Sequence, residues 1–315
     1  MKRQIDILFT THNGQRTLPR MLQALAELEV PERPWRILAV NNASRDGTAD
    51  ILESWTKTLP LRVHYCGEPG KSQAQRSALP HLGGDLVVLT DDDIIPAPGW
   101  LRALEAAADR HPEVRIFGGA ITPSPIEEVG PWYLAAATYH SDLFALTTAA
   151  GGPVQGADTI FGPNMMLRHA EAVSALKQDR VLGPTFANPG RKRVFPLGDE
   201  SEMIAQLERA GATALFVPEA RVEHMVRAFQ TDLGFMLQRA QNHGRGVVLR
   251  ALKGRSDWTG RLRYALAGAF RAAILWLQVG LADRSKPGSA TFDKLYGKSW
   301  HAGRAKGALF GPFLL

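Results

Sequence analysis

The chain has 315 residues, a formal net charge of +6 and a single cysteine, Cys66. That length allows one large domain or two smaller ones. The lone cysteine excludes an intramolecular disulfide and fits a reducing compartment, and the basic balance favours anionic partners: nucleotides, nucleic acid or a membrane surface.

Ile5–Thr10 predicts a first strand, closed by the turn Thr11-His-Asn-Gly14, with Thr17 capping a helix through Leu28. Arg36–Val40 predicts a second strand. The polar turn Asn41–Gly47 follows, then a helix carrying Ile51, Leu52 and Trp55. Leu61–Tyr65 is a third strand, and Glu68–Ser72 opens a helix with Ala74, Ala78, Leu79 and Leu82 on one face. Asp85–Thr90 is a fourth strand. Its apolar run does not alternate, so it reads as buried on both faces. A helix then runs from Pro98 and Trp100 to about Arg110. Strands alternating with helices at this spacing predict an α/β fold, with a Rossmann-like, mostly parallel sheet flanked by helices.

Beyond Val114 the pattern changes. Val114–Gly118 predicts one more strand, and Ile121–Val129 is proline-rich and irregular. Pro131–Leu146 predicts a helix, Ala149–Pro163 a loop, Asn164–Arg168 a short strand, and Ala170–Lys177 a helix. Gly183–Pro196, with Arg191-Lys-Arg193, reads as a mobile basic loop. Asp199–Ala210 predicts a helix ended by Gly211. Ala214–Val217 and Arg221–His224 are the last strands, and helices fill Phe229–His243 and Arg261–Ala282. The expected division is 1–115, 116–228 and a C-terminal helical extension, 229–315. No run of about 20 apolar residues exists, so no spanning helix is expected. The nearest approach, Tyr264 to Ala282, is interrupted by Arg271 and Gln278. The N-terminus enters a strand pattern without an apolar leader core, which predicts a cytoplasmic protein.

The chemistry concentrates at Asp91-Asp-Asp93, where the fourth strand leaves the sheet. Ligands of open α/β sheets bind at that carboxyl edge. Two carboxylates ~4 Å apart repel by roughly 4 kcal/mol at an effective dielectric of about 20. A cation is therefore expected: a divalent metal, for which these oxygens suit Mg²⁺ or Mn²⁺, or a Lys or Arg. One such Asp commonly makes a turn or caps a helix; three in a row favour a site. Asp199-Glu-Ser-Glu202 is a second acidic cluster. It is either a capping box from Asp199 to Glu202 or a general base at a helix N-terminus, where the dipole favours the charged form. His224 is either a structural histidine or a metal ligand. His12, Asn13, Asn41 and Asn42 line a base pocket or form turns. Gly70-Lys71-Ser72 is not a phosphate-binding loop, because Tyr65 stands where that loop needs glycine.

Taken in order, these segments resemble a family 2 glycosyltransferase of the A-type fold. Thr10-Thr-His-Asn-Gly-Gln-Arg-Thr-Leu18 and Val40-Asn-Asn-Ala-Ser-Arg-Asp-Gly-Thr48 resemble the family's two nucleotide loops. Gly70–Ala78 with Gly84-Asp85 resembles the helix before the metal strand, and Thr90-Asp-Asp-Asp93 with Pro96, Pro98, Trp100 and Leu101 resembles the DXD motif. Gly162–Arg168, Leu197–Glu202 and Val217–His224 resemble the acceptor loop, the catalytic-base motif and the closing strand with its histidine. The resemblance covers roughly residues 4 to 245.

The resemblance implies an inverting, metal-dependent transfer from a nucleotide-diphosphate sugar, UDP-linked, to a hydroxyl acceptor in bacterial cell-surface polysaccharide or glycolipid synthesis. It implies Glu200 as the base with Asp199 beside it. Donor contacts would come from Thr11, His12, Asn13, Asn41, Asp46, Lys71, Arg76, Asp91 and Asp92. Asp93, Asp91 and His224 would hold Mg²⁺ or Mn²⁺. The half 1–115 would bind the donor and 116–228 the acceptor. Asn41 stands where the family often has Asp, Asp199-Glu200 where it usually has Glu-Asp, and Ala74-Gln-Arg-Ser77 where Ala-Arg-Asn is usual. Two other readings stand beside this one: a nucleotidyltransferase on a similar sheet, and a non-catalytic carbohydrate- or membrane-binding protein that kept the fold. Arg261, Arg263, Arg271 and Trp276 suit an anionic bilayer, or packing on the catalytic domain or in a homodimer. Nucleic acid is not an expected partner.

Overall fold

The computed structural model describes residues 2–177, 197–252, 258–280 and 289–310. In chain order the elements are β1 (Lys2–Thr11), α1 (Leu18–Ala26), β2 (Trp35–Asn42), α2 (Thr48–Trp55), β3 (Leu61–Cys66), α3 (Lys71–Ser77), β4 (Gly84–Asp91), β5 (Ile94–Pro96), α4 (Trp100–Arg110), β6 (Ile116–Pro125), α5 (Tyr133–Tyr139), β7 (Gly152–Val154), α6 (Gly156–Thr159), β8 (Met165–Arg168), α7 (His169–Lys177), α8 (Asp199–Arg209), β9 (Ala214–Val226), α9 (Leu233–Ala251), α10 (Trp258–Gly280) and α11 (Ser289–Phe310). They form two compact units. The first comprises Met1–Ser124, Ala145–Asp179 and Glu200–Met225; the second comprises Pro125–Phe144, Arg180–Asp199 and Val226–Leu315.

The first unit is built on a mixed sheet in the order β3-β2-β1-β4-β8-β6-β9-β5, with β7 paired to β9. Pairing is parallel from β3 to β4 and antiparallel between β4 and β8, β8 and β6, and β5 and β9. The run Leu86–Leu89 is buried along its whole length, as its lack of alternation predicts. Burying each such side chain contributes about 1.5–3 kcal/mol over leaving it in water.

The elements depart from the sequence reading at several points, each with a physical reason. Thr17 precedes α1 without capping it, because its hydroxyl donates backward to the Gly14 carbonyl at 3.3 Å. The segment Ile121–Val129 is not irregular throughout, since β6 continues to Pro125. Ile121 exchanges both backbone hydrogen bonds with Thr147, at 2.8 and 3.1 Å. The prolines fall beyond it, on the exposed stretch where no N–H is needed. The expected loop Ala149–Pro163 contains β7 and α6. The expected helix Pro131–Leu146 is α5, broken at His140, and a 3₁₀ turn, Ser141–Phe144. The two final strands are one, β9, with Pro218 between its pairings to β7 and β5. Gly211, at φ +93°, ends α8 as expected. The basic segment Gly183–Pro196 lies outside the described residues.

In the second unit α11 packs against both α9 and α10. The contact with α9 is backbone-close: a Cβ on Gly303 would lie 1.9 Å from the Gln241 carbonyl oxygen. Asp142 ties the unit together. It accepts from the Tyr296 hydroxyl at 2.6 Å and from His243 Nδ1 at 2.8 Å, and His140 stacks on the Tyr296 ring at 3.7 Å. Among the described residues no helix is long and apolar enough to cross a membrane.

At the amino edge of the first sheet, Asp6 is 1% exposed. It accepts from Arg36 Nε at 2.7 Å, Gly83 N at 2.7 Å, Gly84 N at 2.9 Å and Gln4 Nε2 at 2.7 Å. Burial works to raise its pKa, but the Arg36, Gly83, Gly84 and Gln4 hydrogen bonds outweigh it and hold the carboxyl below its ordinary value. At acid pH the unfolded chain therefore binds the extra proton. The stability that Asp6 contributes is present above the ordinary carboxylate range and is lost as pH falls through it. Asp6→Ala is expected to cost about 3 kcal/mol in chemical denaturation at neutral pH, with the gap to the parent narrowing as pH is lowered.

Candidate active site

The strand register levels the carboxyl ends of three strands. Thr10 on β1 sits opposite Val40 on β2 and Asp91 on β4, and Thr11 opposite Asn41. β1 has β2 on one side and β4 on the other, so successive crossovers leave it in opposite directions. The crevice opened at such a point is where α/β sheets bind ligands.

The three carboxylates at the end of β4 go to three different elements. The Asp91 Oδ1 atom accepts from Lys71 Nζ, on α3, at 2.6 Å. Asp92 accepts from the Thr11 hydroxyl on β1. Asp93 Oδ1 lies 3.2 Å from His224 Nε2 on β9. This last contact follows from register: β5 pairs antiparallel with β9, setting Ile94 opposite His224, and Met225 N donates to the Asp93 carbonyl at 2.8 Å. Burial pushes the Asp91 carboxyl up, Lys71 pulls it back, and Glu200 and Asp93 push it up again, for a net rise.

Lys71 reaches a second acid. Its Nζ lies 2.8 Å from Glu200 Oε1, on the first turn of α8, while Glu200 Oε2 accepts from Gly162 N at 2.9 Å. Glycine at position 162 lets the carboxylate sit against the backbone: a Cβ there would lie 2.1 Å from it and would displace the Glu200 side chain. The Gly162 segment is itself fastened down. Thr90 Oγ1 donates to the Pro163 carbonyl at 2.7 Å, and Trp100 Nε1 donates to Asn164 Oδ1 at 2.8 Å. Asn164 Nδ2 in turn donates to the Ala120 and Ala220 carbonyls at 3.0 and 2.8 Å. The side chains of Lys71, Asp91 and Glu200 are 19%, 24% and 23% exposed, so the bridge is open to a ligand.

The two loops beside it are stitched together. His12 Nδ1 donates to the Asn42 carbonyl at 2.7 Å, and Asn13, at φ +57°, accepts from Arg45 N at 2.9 Å. Asn41 accepts from Ser44 N at 3.2 Å. Asp46 accepts from Gln15 N at 3.2 Å and from Thr48 N at 3.1 Å. Burial raises the Asp46 pKa, but the Thr48 and Gln15 hydrogen bonds prevail and hold it low. Buried Asn42 is wholly turned to structure, donating to the Glu68 carbonyl at 2.6 Å and accepting from Gly70 N at 2.8 Å. Arg76 is half-buried on α3, and Asp199 is buried at the start of α8. Glu202 is turned along α8, where its Oε1 accepts from Gln206 at 2.7 Å.

Residues 6–172, more than half of the chain, match the family described as Glycosyl transferase family 2. The chain belongs to that family. That membership weighs against the nucleotidyltransferase and non-catalytic readings. It is 26% identical over 112 residues to poly(ribitol-phosphate) beta-N-acetylglucosaminyltransferase TarS of Staphylococcus aureus, covering 34% of this chain and 19% of that protein. It is 24% identical over 115 residues to undecaprenyl-phosphate 4-deoxy-4-formamido-L-arabinose transferase of Salmonella dublin, covering 34% of each. The chain thus aligns with 19% and 34% of the length of these relatives. Among solved structures, mannosyltransferase PcManGT from Pyrobaculum calidifontis, in complex with GDP-Man and Mn²⁺, superposes with a TM-score of 0.55 at 19% identity, covering 98% of this chain and 74% of that one. S. aureus TarS 1-349 in complex with UDP-GlcNAc gives 0.50 at 14% identity, covering 97% and 91%. At these identities the likeness is one of fold, the A-type glycosyltransferase fold.

Asp93 and His224 suit a divalent cation. Neighbouring ligand atoms around an octahedral ion with bonds of 2.0–2.1 Å lie about 3 Å apart, and the Asp93 and His224 atoms are 3.2 Å apart. Among the described residues no group of three or more His, Cys, Asp or Glu forms a ready metal cage. The pair therefore fits an ion that takes most of its coordination from diphosphate and water, with Asp91 held on Lys71.

The structure also joins residues that the sequence did not connect. Gly162, Thr90, Trp100 and Asn164 position Glu200, and Lys71 sits between two acids rather than on a nucleotide alone. Lys71→Met removes the ammonium that Asp91 and Glu200 share. Transfer is expected to fall about 100-fold in kcat/KM, with Lys71→Arg recovering part of it and thermal unfolding little changed.

Proposed function

We propose that this glycosyltransferase is metal-dependent and inverting, and that it moves a sugar from a nucleotide-diphosphate donor, UDP-linked, to a hydroxyl acceptor in cell-surface glycan or glycolipid synthesis. The observation that carries the reading is the Asp91–Lys71–Glu200 bridge, in which an acid from the acceptor half lies one ammonium away from the donor-side triplet. In the proposal residues 1–115 serve the donor, 116–228 the acceptor and base, and 229–315 form a helical extension.

Glu200 is held by the Lys71 ammonium and oriented by the Gly162 N–H, the placement a general base needs. It takes the proton of the acceptor hydroxyl. The electron pair of that oxygen forms the new bond to the anomeric carbon, and the carbon–oxygen bond to the diphosphate breaks, its pair leaving with the nucleoside diphosphate. Attack opposite the leaving group inverts the anomeric centre. Asp91 faces the sugar-nucleotide, while Thr11, His12, Asn13, Asn41 and Asp46 shape the nucleotide side and Lys71 and Arg76 add positive charge. Asp92 braces Thr11, and Asp199 keeps the start of α8 in place. Mg²⁺ or Mn²⁺ at Asp93 and His224, when bound, supplies positive charge against the developing diphosphate.

The fold neighbours support this class of donor and metal, because their complexes hold GDP-Man with Mn²⁺ and UDP-GlcNAc. The relatives' names, which specify poly(ribitol-phosphate) and undecaprenyl-phosphate, support a cell-surface glycan or lipid-linked substrate.

A thermal-shift screen over UDP-, GDP- and dTDP-sugars with Mn²⁺ is expected to single out a UDP-sugar. The same sugars without metal should protect less, and protection by none of them would overturn the reading. Glu200→Gln is expected to keep donor protection while transfer drops about 10²–10⁴-fold. Normal turnover by that variant would move the base to Asp199.

A further inference from the structure

The second unit carries an apolar helix face that is exposed among the described residues. On α10, Trp258, Leu266, Phe270, Trp276 and Leu277 are 59–69% exposed, and Leu262 and Ile274 are 38% and 39% exposed. Positions 258, 262, 266, 270 and 274 recur every fourth residue, so neighbouring side chains touch and together cover a broad stripe that winds slowly round the helix. At a rise of 1.5 Å per residue the exposed apolar side chains from Trp258 to Leu277 span about 29 Å. The opposite face holds buried Ala265 and buried Gly268, where a Cβ would lie 2.9 Å from the His301 carbonyl oxygen of α11. The helix is therefore docked on one side and bare on the other. Contiguous apolar surface of this kind on a water-facing protein marks an interaction site.

Charge selects the occupant. From Trp258 to Gly280 there is no Asp or Glu, while Arg261, Arg263 and Arg271 are present, and Arg263 and Arg271 are exposed beside the stripe. Two copies of this helix face to face would bring arginines together without acids on the helix to pair them. A surface of anionic headgroups over an apolar layer meets both features at once. The exposed indoles of Trp258 and Trp276 sit near the two ends of the stripe, and indole favours the boundary between headgroup and hydrocarbon. The helix does not qualify as a membrane span, which fits one lying in the plane of the surface.

We infer that α10 is a docking surface for an anionic lipid bilayer, lying flat with the Leu262-Leu266-Phe270-Ile274 stripe in the interface. The test is co-sedimentation of the full chain with vesicles of phosphatidylcholine alone and of phosphatidylcholine with phosphatidylglycerol. The parent is expected to partition at least about tenfold more strongly onto the anionic vesicles, less so at high salt. Leu266→Glu/Phe270→Glu should lose that binding, and Arg263→Gln/Arg271→Gln should lose the preference for phosphatidylglycerol. Unchanged circular dichroism and thermal unfolding would show that the variants are folded, as the exposure of all four side chains leads one to expect. Absence of pelleting by the folded parent would overturn the inference, as would binding that survives the glutamates. So would a parent that is dimeric by light scattering, does not pellet, and becomes monomeric in the glutamate variant.

Discussion

Three adjacent carboxylates at the end of one strand cannot be left to repel each other, and the first unit is arranged around separating them. Asp91 is given to α3 through Lys71, Asp92 to β1 through Thr11, and Asp93 to β9 through His224. Each pairing draws a different part of the chain to the same edge. The Lys71 ammonium extends the set by one more acid, Glu200, so α3 and α8 are joined to the end of β4 through it. A second layer, made of Thr90, Trp100 and Asn164 on buried hydrogen bonds, fixes the backbone on which Glu200 rests.

The parallel half of the fold was legible because its signals are local. Leu86–Leu89 is an uninterrupted apolar run, and the turn chemistry of Thr11–Gly14 and Asn41–Gly47 follows each strand. The second half was less so. Ile94-Ile-Pro96 is too short to announce a strand, yet its pairing with β9 is what brings His224 to Asp93. Pro218 made β9 read as two strands, since a missing N–H is visible in sequence and a gap between two pairings is not. Prolines at 123 and 125 hid the continuation of β6 in the same way.

The site residues were legible by type and order, and their roles less so. The expectation that the triplet needs a cation is met by Lys71 beside Asp91; sequence could not choose between lysine and metal, and a metal at Asp93 and His224 belongs to the proposed function. The Asn41–Asn42 pair shows the same limit. Both stand in a nucleotide-loop motif, and only the carbonyls and N–H groups around Asn42 reveal it to be a buried brace. Contacts between backbone and side chain over long separations, such as Gly162 with Glu200, have no one-dimensional signature.

The pairing of Ile94 with His224 makes the site depend on parity. Successive residues of a strand face opposite sides of a sheet, and a slip of one residue turns every side chain over. Inserting or deleting one residue between Glu219 and Glu223 would point His224 away from Asp93 while leaving the composition of β9 almost untouched. A change of two residues would restore the side but not the partner. The histidine is therefore specified as much by its count along the strand from Pro218 as by its own chemistry.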